Sequence, residues 1–185
     1  MTTIKTLTEF SNLLTKLDIS AVYLFIGNGA KLQYSSLSQV KTVLTPTVDH
    51  LDSKHGAGRW LAVYGGDTWV EDKPDLGACM HWVKQMYNPY MMAVQGWEEC
   101  DKFVDFVYKY EEEKDDQGRT VYGGVKDGEP VGGTKVYLGK MFRQVLTGIV
   151  NIDARGRIGT QEVEFARQVG VEILMVEPAK PRHKY

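Results

Sequence analysis

The chain has 185 residues, 43% of them hydrophobic, with 22 basic against 24 acidic side chains and a net charge of -2. That is the size of about one domain with enough apolar material for a core, and its near-neutral balance gives no electrostatic reason to expect DNA or RNA as a partner. Two cysteines, Cys79 and Cys100, are too few for a disulfide framework.

In chain order, Leu7 to Leu17 carries apolar residues at three- and four-residue spacings and is predicted as a helix. Ile19 to Ile26 is a compact apolar run that reads as a buried strand, ending in Gly27-Asn28-Gly29. Leu37 to Leu51 is predicted helical, with Pro46 as a kink or boundary. Lys54 to Gly58 is a turn, and Trp60 to Tyr64 is the next strand, ending in Gly65-Gly66-Asp67. Asp67 to Pro74 is a loop. Asp75 is placed to cap a helix over Leu76 to Tyr87, which Asn88-Pro89 ends.

Tyr90 to Val94 is a short strand, and Glu98 to Tyr110 is predicted helical with Cys100, Phe103, Val104 and Val107 on one stripe. The acidic run Glu111 to Asp116 reads as its solvated end. Asp127-Gly128 is a hairpin signal between Val121 to Val125 and Val131 to Val136. Residues 111–138 are therefore expected to form an inserted hairpin or flap on one domain spanning 1–185. Lys140 to Leu146 reads as a helix and Ile149 to Ile152 as a strand. Thr160 to Val169 reads as a helix stopped by Gly170, and Val171 to Val176 as the last core strand. Alternating strands and helices, with strands apolar on both faces, point to an α/β fold. The expected form is a three-layer sandwich with a mostly parallel central sheet and an inserted glycine-rich hairpin.

Function is expected where glycine turns end the strands, since a parallel sheet binds ligands beyond the carboxyl ends of its strands. Gly65 and Gly66 remove side chains, so a ligand can approach backbone amides. Asp67 can accept from ribose hydroxyls or cap a turn, and Trp69 can stack on a base or anchor the loop. Gly27, Asn28 and Gly29 border the same crevice, with Lys31 close in sequence.

The segment from Asp153 to Glu164 is the densest chemistry. Asp153 ends a strand, Gly156 and Gly159 make the turn, and Thr160 is placed to cap the next helix. The amides there form an anion site, with Arg155 and Arg157 available to neutralise phosphate. Glu162 falls in the first helical turn, and Glu164 faces elsewhere. A carboxylate here suits cleavage of an N-glycosidic bond, by stabilising an oxocarbenium-like sugar, orienting water or attacking the anomeric carbon. Plain helix capping is the other reading. Lys140 and Arg143, three apart on one helix, can reach an anionic substrate, as can Gln144.

His50, His55, His81 and His183 have no metal-ligand spacing, so no metal and no cofactor are expected. There is no Gly-x-Ser-x-Gly elbow and no Walker A pattern. No run is long enough to span a membrane. Met1 to Phe10 lacks the apolar stretch of a signal peptide, so a cytoplasmic location is the expectation.

These motifs resemble the Rossmann-like nucleotide-binding superfamily of the cytokinin-activating phosphoribohydrolases, formerly called lysine decarboxylases. The matching segments are Gly27 to Gly29, Tyr64 to Asp67, Lys140 to Arg143 and Ala154 to Glu162. The resemblance implies a nucleoside monophosphate or ADP-ribose-like ligand, with phosphate on Gly159-Thr160 and the adjacent amides. In catalytic members it implies hydrolysis of the bond between base and ribose 5-phosphate, carried by Arg143 and a helix glutamate. Asp67 stands where the family has a third glycine, Asp153 to Ile158 replaces its Pro-Gly-Gly start, and Val163 stands at its glutamate position, one residue after Glu162.

Nucleoside deoxyribosyltransferases are similar in using a strand-end Asp and a Gly-Thr-x-x-Glu-like helix start, roughly matched by Asp153, Gly159-Thr160, Glu162 and Ala166. The open alternatives are a glycosidic hydrolase or transferase, a non-catalytic sensor or sequestering protein for a nucleotide signal, and an assembly subunit. A homodimer or higher homo-oligomer is plausible through the Leu76 to Tyr87 helix, with its Trp82, Met86 and Tyr87.

Overall fold

The computed structural model describes residues 2–27, 32–66, 69–94, 102–109, 117, 124–126, 129–131 and 145–176. The described strands are β1 (Thr2–Ile4), β2 (Ala21–Ile26), β3 (Trp60–Gly65), β4 (Tyr90–Val94), β5 (Phe106–Tyr108), β6 (Gly124–Lys126), β7 (Glu129–Val131), β8 (Gly148–Asn151) and β9 (Glu172–Met175). The helices are α1 (Leu7–Lys16), α2 (Leu37–His55), α3 (Leu76–Tyr87) and, here numbered α4, Thr160–Val169. Seven strands form one sheet in the order β1-β5-β4-β3-β2-β8-β9, and every neighbouring pair is parallel. β6 and β7 make a separate antiparallel pair across Lys126 and Glu129.

Alternation along the strands builds two cores. Ala21, Tyr23 and Phe25 of β2 pack with Trp60, Ala62 and Tyr64 of β3 beneath α2 and α3. Val22, Leu24 and Ile26 turn to the other face and meet Phe10 of α1 and Phe165 of α4. Residues two apart on a strand share a face, so a strand buried throughout needs helices on both sides. The result is the expected three-layer α/β sandwich with a Rossmann-like parallel sheet.

The helix ends show why the elements stop where they do. Thr6, Ser36 and Asp75 each accept a backbone N–H with the side chain, from Glu9, Gln39 and Ala78 respectively, and so start α1, α2 and α3. Asn88 ends α3 and Gly170 ends α4, both left-handed, with φ of 49° and 73°.

Two expectations need correction, and one strand does not stand out in the sequence. Of the helix expected over Glu98 to Tyr110 only 102–109 are described, and there Phe106, Val107 and Tyr108 form strand β5 and pair with both β4 and β1. The Phe103, Val104 and Val107 stripe fits a helix, but the ladder between two strands outweighs local periodicity. β1 carries too few apolar residues to stand out in sequence and is held at the sheet edge by β5. Lys54 and His55 belong to α2, which continues through Pro46 to His55. On α3, Trp82 lies in the core and Tyr87 packs edge-on against it and donates to Asp49 at 2.8 Å. Of the three residues proposed for oligomerisation, only Met86 is largely exposed, at 64%.

Pro46 is exposed at the middle of α2 and leaves the Thr42 carbonyl without its helical N–H donor. An interior proline costs about 3 kcal/mol in a helix, offset by roughly 1 kcal/mol through a stiffer unfolded chain. Pro46→Ala is therefore expected to stabilise the protein by about 1–2 kcal/mol, seen as a higher urea midpoint with an unchanged slope.

Candidate functional site

From β2 the chain steps outward through β3, β4 and β5, then returns to lay β8 on the other side of β2. The direction of winding thus reverses between β2 and β8, and an open parallel sheet has its crevice beyond the carboxyl ends of such a pair. Ile26 is level with Asn151 there. The Ile152 N–H donates to the Ile26 carbonyl at 2.8 Å, and the Ala154 N–H donates to the Leu32 carbonyl at 2.9 Å. The segment after β2, which begins at Gly27, and the β8–α4 turn are therefore tied together.

Three buried or half-buried polar residues shape that turn. The Asp153 side chain is completely buried. Its Oδ1 accepts from the amides of Arg155 (2.9 Å) and Arg157 (3.4 Å) and from Arg157 Nε (3.3 Å), and its Oδ2 accepts from Arg157 Nη2 (3.0 Å). Burial opposes the charge on Asp153, but the Arg157 guanidinium and the two amides outweigh it and hold its pKa below the usual carboxylate value. Asn151 closes the ring: its Nδ2 donates to the Arg157 carbonyl at 3.1 Å, and its Oδ1 accepts from the Asp153 amide at 3.4 Å. Gly156, at φ 67°, takes the left-handed conformation that bends the chain between the two arginines. Arg157 is thereby engaged with Asp153, while Arg155 is exposed and its side chain has no ion-pair partner among the described residues.

α4 begins differently from the other three helices. Its N-cap is Gly159, with no side chain to accept a hydrogen bond, and Thr160 is the first helical residue rather than the cap. The first bond of the ladder runs from the Val163 N–H to the Gly159 carbonyl, so the amides of residues 160–162 precede it without a side-chain cap. Glu162 is only 9% exposed. A Cβ built on Gly159 would fall on the Glu162 carboxylate, so the missing side chain at 159 is what lets Glu162 fold back over the helix start. Among the described residues the Glu162 carboxylate has no hydrogen-bond or ion-pair partner. Glu164, by contrast, is exposed and accepts from Arg167 at 3.2 Å and Gln168 at 3.5 Å.

On the other side of β2, Gly65 and Gly66 sit at the end of β3, with the Gly66 N–H donating to the Val94 carbonyl at 3.0 Å. That amide is committed to the sheet, so what Gly66 offers a ligand is the absence of a side chain. The structure thus brings Gly27, Gly65, Gly66, Asp153, Arg155, Gly156, Arg157, Gly159, Thr160 and Glu162 to the carboxyl edge of the sheet. Asn28, Gly29, Lys31, Asp67, Lys140, Arg143 and Gln144 lie outside the described residues. Asn151, buried and central to the turn, was not picked out in sequence; its place two residues before Asp153 at a strand end is the signal that points to it.

Among the described residues there is no cluster of three metal-ligating side chains, and no helix is long and apolar enough to cross a membrane. A doubly wound parallel sheet with an amide-lined helix start at its switch point is an architecture compatible with nucleotide binding. No protein-family model matches the chain, and comparison with curated proteins finds no similar sequence.

Proposed function

We propose that this protein binds a nucleotide or nucleotide-derived small molecule in the crevice beyond β2 and β8. The observation that supports this most is the start of α4, the one described helix without a side-chain cap, set at the point where the winding of the sheet reverses. Its amides and the exposed Arg155 suit the negatively charged or hydroxyl-bearing part of such a ligand. In this reading Gly27, Asn28, Gly29, Gly65, Gly66 and Asp67 border the ligand, and Lys140 and Arg143 approach its anionic group.

Glu162 favours a second step, hydrolysis of the ligand's N-glycosidic bond. A carboxylate that is nine-tenths buried and has no partner among the described residues is free to stabilise an oxocarbenium-like sugar or to activate water. Asp153 is less suited to that role, because both its oxygens are occupied in holding the turn. The test is incubation with AMP, ADP-ribose and dAMP, with free base measured by chromatography. Base release is the expected result. Recovery of an intact bound nucleotide without turnover would favour a sensor or sequestering protein, and absence of both binding and turnover would leave an assembly role.

A further inference from the structure

Near the carboxyl end of β3, on the α3 side of the sheet, three aromatic rings come together. Trp69 meets His81 of α3 at a centroid distance of 5.1 Å, and Phe103 at 5.3 Å, while His81 and Phe103 are 4.9 Å apart. Their planes are inclined at 63°, 70° and 47°, so none stacks flat on another. Tyr64, at the end of β3, lies beneath, nearly parallel to Phe103 at 17° and 6.3 Å. Trp69, His81 and Phe103 are each half-buried, unlike the fully buried core rings of Tyr23, Phe25 and Trp60. The Trp69 Nε1–H is buried and has no acceptor among the described residues, and a buried donor without a partner is destabilising until it finds one.

We infer that Trp69, His81 and Phe103 form the subsite for the planar base of the ligand, an inference that rests on the nucleotide reading above. Inclined rings make a wall that a flat heteroaromatic ring can enter face-on to one and edge-on to another, as aromatic pairs prefer. A base also carries ring nitrogen or carbonyl acceptors that can take the orphan indole N–H, once the Trp69 ring shifts to expose it. The two glycines that end β3, Gly65 and Gly66, put no side chain in the way.

The spacing agrees. β8 and β3 flank β2 on either side, which sets their ends roughly 10 Å apart at the usual strand separation. A single nucleoside monophosphate bridges such a gap, with its sugar and phosphate near α4 and its base near β3. Among the described residues the β9 side has no comparable wall: Tyr34, which reaches the end of β9 by donating to the Val176 carbonyl at 3.4 Å, is itself buried in the core.

The experiment is calorimetric titration of the four common ribonucleoside 5'-monophosphates and of ribose 5-phosphate, which lacks a base, into wild type, Trp69→Leu and Trp69→Phe. The tightest nucleotide is expected to bind wild type about 10–100-fold more tightly than ribose 5-phosphate. Trp69→Leu should remove most of that advantage and leave ribose 5-phosphate binding within about twofold. Trp69→Phe, which keeps a ring and lacks the N–H, should fall between the two, and it serves also if the leucine variant does not fold. Equal binding of nucleotide and sugar phosphate by wild type would overturn the base subsite while sparing the nucleotide reading. So would a nucleotide affinity unmoved in both variants. Failure of wild type to bind any of the five would overturn the nucleotide reading itself, and the subsite with it.

Discussion

Replacing Asp153 with alanine is expected to destabilise the protein by about 2–4 kcal/mol. The carboxylate is fully buried and carries four donors, two of them backbone amides that only this side chain serves. Without it the part-buried amides of Arg155 and Arg157 lose their acceptor. The Arg157 side chain, 38% exposed, can turn to water and so limits the loss. The turn that carries the chain from β8 to α4 then keeps only Asn151 as a side-chain tie, beside the backbone bonds of Ile152, Ala154 and Gly156. Asp153→Asn keeps one oxygen for an amide but sets an NH₂ against the guanidinium, and should lose less. Urea denaturation measures both. A loss below about 1 kcal/mol for the alanine variant would show that the turn does not depend on this residue.

The same carboxylate sets a pH dependence. Its folded-state pKa lies below the unfolded one, so its contribution is full above an ordinary carboxylate pKa of about 3.9 and is lost as pH falls through the lower folded value. The stability gap between wild type and Asp153→Ala is therefore expected to stay constant between about pH 5 and 8 and to narrow below about pH 4.

Glu162→Gln is expected to lower turnover of the N-glycosidic substrate by about 10²–10⁴-fold while leaving the protein at least as stable as wild type. Glutamine keeps the shape and hydrogen-bonding reach of the side chain and removes only its charge. If Glu162 served merely to complement the α4 dipole, the change would instead cost a few tenths of a kcal/mol to about 1 kcal/mol of stability, with no effect on turnover. The two readings therefore differ in sign on stability and in kind on activity. Chemical denaturation and base-release assays on one pair of proteins separate them.

Much of this fold could be read from residues. Asp75 as the cap of α3, Asn88-Pro89 as its end and Gly170 as the end of α4 are local signals, set by backbone amides within a few positions. The apolar runs of β2, β3, β4 and β8 were legible because both faces of each strand are buried. β5 was not, since Phe106 to Tyr108 is short and its strand conformation is imposed by β4 and β1, which are distant in sequence. The candidate site divides in the same way. Glycine turns at strand ends marked the crevice, and the order of strands around β2 then placed both turns on one edge. What no spacing could show is that Arg157 is spent on Asp153, that the Gly66 amide is spent on Val94, or that Glu162 lies buried over Gly159. Those depend on which side chains the turn folds inward.

The proposed nucleotide sits where β2 and β8 part, against the start of α4. Amide hydrogen exchange across residues 152–163, with and without the tightest-binding nucleotide, tests this placement most directly. Slowed exchange is expected at Thr160, Gln161 and Glu162 on binding, while the last turn of α1, which leads into the amino end of β2, stays unchanged. Binding without any protection between residues 152 and 163 would place the ligand elsewhere and contradict it.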